Sequence, residues 1–407
     1  MFSSIKGPHV LGITLAAAGI LMVTMGARQS LGLFVGPLNT STGLGLATIS
    51  FALAIGQFVW GAIQPLAGAA ADRWGAGPVL IAGILILAVG SALTPFMDSG
   101  LGLTISLGVL AAMGSGAGSF SVLIGAAAQR IPASARGTAS GVINAGGSFG
   151  QFVFAPVLQK LIQVMGWMGA MWSLAIISLA ALPLIGKVTK GTHGAHAERK
   201  ADDPGLRRTL KTALTDRSYL LLHAGFFTCG FHIAFLVTHL PTEVDLCGLP
   251  PSVASWSLAL IGLANIIGSL VVGHLVGKYR SKSILALMYG SRAILILWYL
   301  VMPREPWVFY IFAVGLGLTW LATVPPTAGL VGKLFGVRYL GTLFGLTLLS
   351  HQIGGFLGAW LGGLAITELG NYDMMWWADI ALALLAAVLN LPIREKKLHL
   401  EGAAAGA

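Results

Sequence analysis

Along the chain, long apolar runs alternate with short polar breaks. Twelve runs reach spanning length, at roughly 10–34, 47–70, 78–97, 101–128, 137–164, 167–186, 219–241, 252–276, 283–302, 307–331, 339–366 and 373–393. A helix needs ~20 apolar residues to cross a ~30 Å hydrocarbon core. In lipid each backbone N–H and C=O must be satisfied within its own segment, so these runs are expected to be helices. The pattern predicts an all-α integral membrane protein with twelve transmembrane helices. A single long polar stretch, 187–217, divides the spans six and six. The expected domains are an N-terminal half (1–186), a linker (187–217) and a C-terminal half with a short tail (218–407). The linker holds Lys187, Lys190, Arg199, Lys200, Arg207, Arg208, Lys211 and Arg217. It reads as a solvated connection with a short surface helix near Pro204–Thr215. His193 and His196 read as linker histidines rather than metal ligands, and no cofactor is expected.

Composition agrees with the pattern. Of 407 residues 56% are hydrophobic and only 9% charged, against ~25% charged in a soluble domain. The formal charge of +10 does not imply nucleic acid, because the bases sit in short loops and not along one stripe. Lys160 and Arg304 fall in loops of one side and Arg28 and Arg292 inside spans, which leaves 20 of the 24 Lys and Arg on the other side. By the positive-inside rule both termini are cytoplasmic, and a multi-pass protein of a bacterial inner (plasma) membrane is expected. The first run is too long, with no small-residue cleavage site after it, for a removed signal peptide. Cys229 and Cys247 form no metal-ligand pattern, and nothing in their spacing calls for a disulfide.

Two short motifs organise the runs. Gly68-Ala-Ala-Ala-Asp72-Arg73-Trp74-Gly75 closes the second span, and Gly273 to Lys282 closes the eighth about half a chain later. Small residues four apart let helices approach closely, and the charges mark an aqueous face. Gly137-Thr138-Ala-Ser-Gly141 aligns with Gly341-Thr342-Leu-Phe-Gly345 at one offset, as Gly150 does with Gly354. Such spacing points to a duplicated half. The Gly68–Gly75 stretch resembles the signature loop between spans 2 and 3 of the major facilitator superfamily (MFS), with Ala76 and Gly77 where that loop usually has two bases. The resemblance implies two pseudo-symmetric six-helix halves and a gating role for Gly68, Asp72, Arg73 and Gly75. It also implies that spans 1, 2, 4, 5, 7, 8, 10 and 11 line a central cavity, with 3, 6, 9 and 12 outside, and a monomeric carrier.

Candidate chemistry centres on Arg28, late in the first span. A guanidinium at bilayer depth costs at least ~2.5–3.5 kcal/mol and faces a cavity or a partner. No Asp or Glu falls within runs 1 to 8, so an unpaired guanidinium suits an anionic substrate such as a carboxylate. The plainer reading is that Arg28 snorkels or bonds helix-end carbonyls. Gly26-Ala-Arg28-Gln29-Ser30 through Phe34 and Pro37-Leu38 resembles span 1 of bacterial carriers related to the monocarboxylate porters and the oxalate:formate exchanger. Animal porters of that group carry a lysine at about this place. Their span 8 Asp and Arg align here with Asn265 and Ser269, and the exchanger's span 11 lysine falls near His351.

His232 and His351, near the middle of spans 7 and 11, are the proton-coupling candidates. Each has a structural alternative as a helix–helix hydrogen bond; for His351 the two readings balance, and for His232 and still more for His239 the structural one is preferred. Arg292 and Asp379, in spans 9 and 12, read as a mutual structural ion pair. The remaining candidate substrate ligands are Gln57, Phe120, Asn144, Asn265 and Trp320, with Gln64 and Gln151 as further polar positions. Asn144, Ser148 and Gln151 share one helical face. Singly, each is as well explained as interhelical glue. The glycines of spans 4 and 5 read as packing surfaces, since no Lys-Ser/Thr follows and no strand precedes.

These readings converge on secondary transport of a small monocarboxylate, lactate- or pyruvate-like, with a proton. Arg28 would hold the anion and His351 relay the proton. The alternative is a proton-driven drug or metabolite exporter of the same fold. Against it, span 4 has no Arg, and Gly146-Gly147 in span 5 has no following Pro. No nucleophile–base pair or metal cluster marks an enzyme.

Overall fold

The computed structural model describes residues 7–189 and 205–396. His193, His196 and the central linker bases Lys190, Arg199 and Lys200 lie outside them. Among the described residues, twelve helices are long and apolar enough to cross a membrane. They are α1 (Pro8–Gln29), α2 (Leu46–Trp74), α3 (Ala76–Leu93), α4 (Gly100–Ala128), α5 (133–165) and α6 (167–189), the last two divided at Gly166, in the first half. The second half holds α7 (Arg217–Leu246), α8 (Pro251–Leu275), α9 (Ser281–Val301), α10 (Pro306–Phe335), α11 (Leu340–Leu369) and α12 (Asp373–Asn390). A short helix, Gly205–Thr215, precedes α7 where the surface helix was expected. Both cysteines are free.

Several helices outrun their apolar stretches. α2 continues through the charged end of the signature motif, so Asp72 lies inside a span. α7 runs on past its apolar window and carries Glu243, buried and accepting from Tyr299 Oη at 2.6 Å. The expectation that spans 1 to 8 hold no carboxylate is corrected at Asp72. Continued intrahelical hydrogen bonding keeps a helix going where the hydropathy falls. Gly75 stops α2 with φ 92°, a conformation in which a side chain would clash, and α3 starts at the next residue.

The two halves meet along glycine seams. α2 packs on α11, and α5 on α8. A Cβ on Gly68 would overlap the backbone of Gly341, and one on Gly273 would overlap Gly141. Lipid tails are as apolar as Leu, so such close backbone approach is what holds helices together in a bilayer. Both seams lie in the half of the bundle nearest the termini, where Arg394 N–H also bonds Ser218 Oγ at 3.0 Å.

α10 is broken at mid-depth. Helix ends at Thr319, Trp320 has ψ −90°, and a 3-10 turn spans Leu321–Thr323. The cause is Pro325-Pro326: without N–H groups they leave the carbonyls four residues back, Leu321 and Ala322, without helical donors.

Candidate functional site

Arg28 sits in the last turn of α1 and does not bond that helix's end. Its Nη2 donates to Gln57 Oε1 on α2, and the guanidinium lies 4.2 Å from the Trp60 ring centroid. Trp60 in turn packs edge-on against Phe120 of α4, 6.4 Å away at 89°. Phe120 is 1% exposed and does not line the cavity that Arg28 faces. Among the described residues no salt bridge includes Arg28. With Gln57 it lines a cavity of about 240 Å³ that also touches Ser91, Ser115 and Val237. Beside it, Gln29 Nε2 donates to Gln151 Oε1 of α5 at 3.2 Å.

Gln57 also marks the crossing to the second half. Its backbone oxygen accepts from Gln352 Nε2 of α11 at 3.5 Å, and Gln352 Oε1 is 3.3 Å from His351 Nδ1. His351 rests on Phe226 of α7, ring centroids 4.8 Å apart. Arg28, Gln57 and His351, drawn from three helices and both halves, are thus joined through Gln352. A guanidinium and an imidazole at two ends of one polar string are suited to an anion and a proton respectively.

Asn144, Asn265 and Trp320 gather elsewhere, at the break in α10. Asn144 Nδ2 donates to Ser269 Oγ (2.8 Å) and to Leu321 O (2.7 Å). Asn265 Nδ2 donates to Ser148 Oγ at 2.6 Å, and Leu321 N–H donates to Asn265 Oδ1 at 2.9 Å. The carbonyl that Pro325 leaves without a helical donor is thus met by an asparagine from the opposite half. Both asparagines are buried, at 0% and 1% exposed. In this conformation they clasp the halves and do not line the Arg28 cavity. Gln64, also buried, accepts from Ser121 Oγ at 2.6 Å.

Arg292 and Asp379 are not partners. Arg292 donates to the Thr319 carbonyl, to Trp320 O (2.9 Å) and to Cys229 Sγ (3.1 Å). Asp379 instead meets His232, at 2.5 Å. Cys229 and His232 are three residues apart on α7, about 4.5 Å of helical rise, and that offset separates the two expected partners. The guanidinium instead takes the carbonyls of Thr319 and Trp320, where the first helical segment of α10 ends. His239 is structural as expected. Ala359 O accepts only, so Nε2 donates to it (2.8 Å) and Tyr372 Oη donates to Nδ1 (3.0 Å).

The signature motif forms a clamp. Asp72 Oδ2 accepts from Thr342 N–H (2.8 Å) and Thr342 Oγ1 (2.7 Å), in the first turn of α11. A carboxylate there meets unpaired helix N–H groups and the positive end of the helix dipole. Gly68 gives the approach, and Arg73 is exposed over Trp74, 5.3 Å from its ring. A second cavity, about 180 Å³, lies between the halves at this end. Its two cations are Arg136, whose Nε donates to Ile131 O (3.1 Å), and Lys333, paired with Glu395 (3.0 Å).

Two six-helix halves closed at one end by a motif clamp, with a charged cavity beyond it, are the geometry of a rocking carrier. The Major Facilitator Superfamily profile matches residues 17–359 and 247–406. The chain belongs to this superfamily. It is a secondary transporter working by alternating access. Among relatives, the uncharacterized MFS-type transporter YcxA of Bacillus subtilis (strain 168) is 24% identical over 382 residues, 91% of this chain and 92% of that protein. Monocarboxylate transporter 11 of Homo sapiens is 27% identical over 394 residues, 93% of this chain and 82% of that protein. The crystal structure of the E. coli fucose:proton symporter FucP superposes with a TM-score of 0.73 at 14% identity, covering 94% of this chain and 98% of that one. That likeness concerns the fold.

Proposed function

We propose that this carrier moves a small monocarboxylate, lactate- or pyruvate-like, together with a proton across a bacterial inner membrane with both termini cytoplasmic. The observation that carries the reading is Arg28. Its hydrogen-bond partner is a neutral amide, its other contact is an aromatic face, and its charge faces a cavity. Substrate carboxylate oxygens take the place of Gln57 Oε1 on the guanidinium, and Trp60 holds the fork in plane. Gln57 and Gln352 then connect the bound anion to His351, which passes the proton between cavity and protein. The volume, about 240 Å³, is below the ~300–1,000 Å³ usual for drug-sized ligands, which favours a small substrate over a drug. The monocarboxylate transporter among the relatives supports the same class.

The test is uptake of labelled lactate into proteoliposomes with and without an inward proton gradient. Gradient-stimulated uptake is expected, with KM raised at least tenfold in Arg28→Gln and partly restored in Arg28→Lys. Wild-type uptake with unchanged KM in Arg28→Gln refutes the carboxylate assignment.

A further inference from the structure

Away from the Arg28 cavity, the second half holds a buried ionisable pair. His232 on α7 is 2% exposed and Asp379 on α12 is 0% exposed. Nδ1 of the imidazole meets Oδ2 of the carboxylate at 2.5 Å. Well-packed apolar residues in such a place are often as stable as an ion pair or more so. Ionisable groups at bilayer depth therefore point to function.

The other two polar atoms of the pair supply a second observation. His232 Nε2 and Asp379 Oδ1 are buried and make no hydrogen bond among the described residues. A buried polar atom without a partner is costly, and with the imidazolium already protonated at both nitrogens Asp379 Oδ1 is the place where a further proton can be taken up. A route to the cavity runs along α7. Gly230, two residues before His232, packs directly on the backbone of His351, which adjoins Gln352 and the Arg28 string.

We propose that the His232–Asp379 pair is the proton-binding site of this carrier, with His351 as its access point from the cavity. The proposal rests on the proton-coupled reading above and adds where the proton is stored. With one shared proton, as HisH⁺/Asp⁻, the pair is neutral. A second proton makes it HisH⁺/AspH, with net charge +1, and release restores the neutral form. A monocarboxylate anion at Arg28 cancels that added charge, so anion and proton cross together without net charge. Along the elements around the pair, the titratable or charged groups within about three turns include Cys229, His239 and Glu243 of α7 and Tyr289, Arg292 and Tyr299 of α9. His351 of α11 and Tyr372 at the start of α12 lie on the other two elements. Glu243 is bonded to Tyr299, and His239 to Ala359 and Tyr372. Arg292, on Cys229, is the fixed charge about one turn from the pair.

The test is a pH-difference infrared spectrum of the reconstituted full chain, which needs no substrate. Acidification is expected to raise a carboxylic-acid carbonyl band in the wild type that Asp379→Asn abolishes and Asp379→Glu keeps. In His232→Gln the midpoint of that band moves by about one pH unit or more. A band unaffected by Asp379→Asn overturns the proposal. If that variant does not give monodisperse protein, an unmoved midpoint in His232→Gln overturns it instead. In proteoliposomes, Asp379→Asn is expected to exchange labelled monocarboxylate at equal concentrations but to lose gradient-driven accumulation. Retained accumulation overturns the assignment. If the wild type moves no monocarboxylate, the substrate reading fails, while the infrared band still decides the proton site.

Discussion

The clamp at Asp72 gives the most direct test of how this carrier is held closed. Asp72→Ala removes an acceptor that takes two hydrogen bonds from Thr342, one from the backbone and one from the hydroxyl. Hydrogen bonds to a charged group contribute ~1.5–3 kcal/mol each, and the two share one oxygen, so they do not add fully. About 3 kcal/mol is the working figure. When the termini end opens, Asp72 becomes hydrated, so the loss falls on the closed state alone. At 1.4 kcal/mol per tenfold, Asp72→Ala raises the open fraction about 100-fold while the closed form dominates. Asp72→Asn keeps an oxygen but no charge, and about tenfold is expected. The assay is the rate of maleimide labelling of Ala139→Cys with Cys229 and Cys247 replaced by alanine. Ala139 is 1% exposed and lines the cavity between the halves at that end. Labelling should accelerate in the order Ala, then Asn, then wild type at position 72. Equal rates in all three would refute the clamp.

Packing along the α7–α11 seam is tested by Gly230→Ala, whose Cβ overlaps the backbone oxygen of His351. A loss of ~1–3 kcal/mol is expected from overpacking, seen as a lower Tm, whereas Gly262→Ala has open space and leaves Tm unchanged. Arg292→Met strips donors from the carbonyls of Thr319 and Trp320 and should cost ~1–3 kcal/mol, as leaving buried acceptors unsatisfied does. Adding Asp379→Asn should not restore Tm; rescue would mean that the two residues are partners after all. Burial pushes the Cys247 thiol up, with the Glu243 carboxylate adding to it and Arg304 opposing. Less thiolate at neutral pH follows, so alkylation of Cys247 should lag a free thiol near pH 7 and catch up as pH rises; a faster reaction would contradict this.

Much of the architecture was legible in the sequence because bilayer thickness and backbone hydrogen bonding act on one segment at a time. The break between the fifth and sixth runs shows this at Gly166, where φ is 72° and a single helical assignment kinks. The repeat of Gly137–Gly141 at Gly341–Gly345 likewise announced helices that approach closely, and both segments lie in the seams between halves. The ends of helices were less legible, since α2 and α7 carry Asp72 and Glu243 past the point where hydropathy falls.

Partners were another matter. Arg28 was recognisable as an exceptional charge from its depth alone, yet nothing in the chain order said that Gln57 and Trp60 would receive it. Arg292 and Asp379 looked matched by charge, but helical phase sent one to the α10 carbonyls and the other to His232. Asn144 and Asn265 were visible as polar residues on cavity helices; the tandem prolines of α10 drew them to Leu321. The sequence by itself determined what must span the bilayer and which groups are too costly to be there by accident. Only the tertiary structure decided which of those groups face each other, because pairing depends on crossing angles and helical phase between segments up to 300 residues apart, such as Gln57 and Gln352, 295 residues apart.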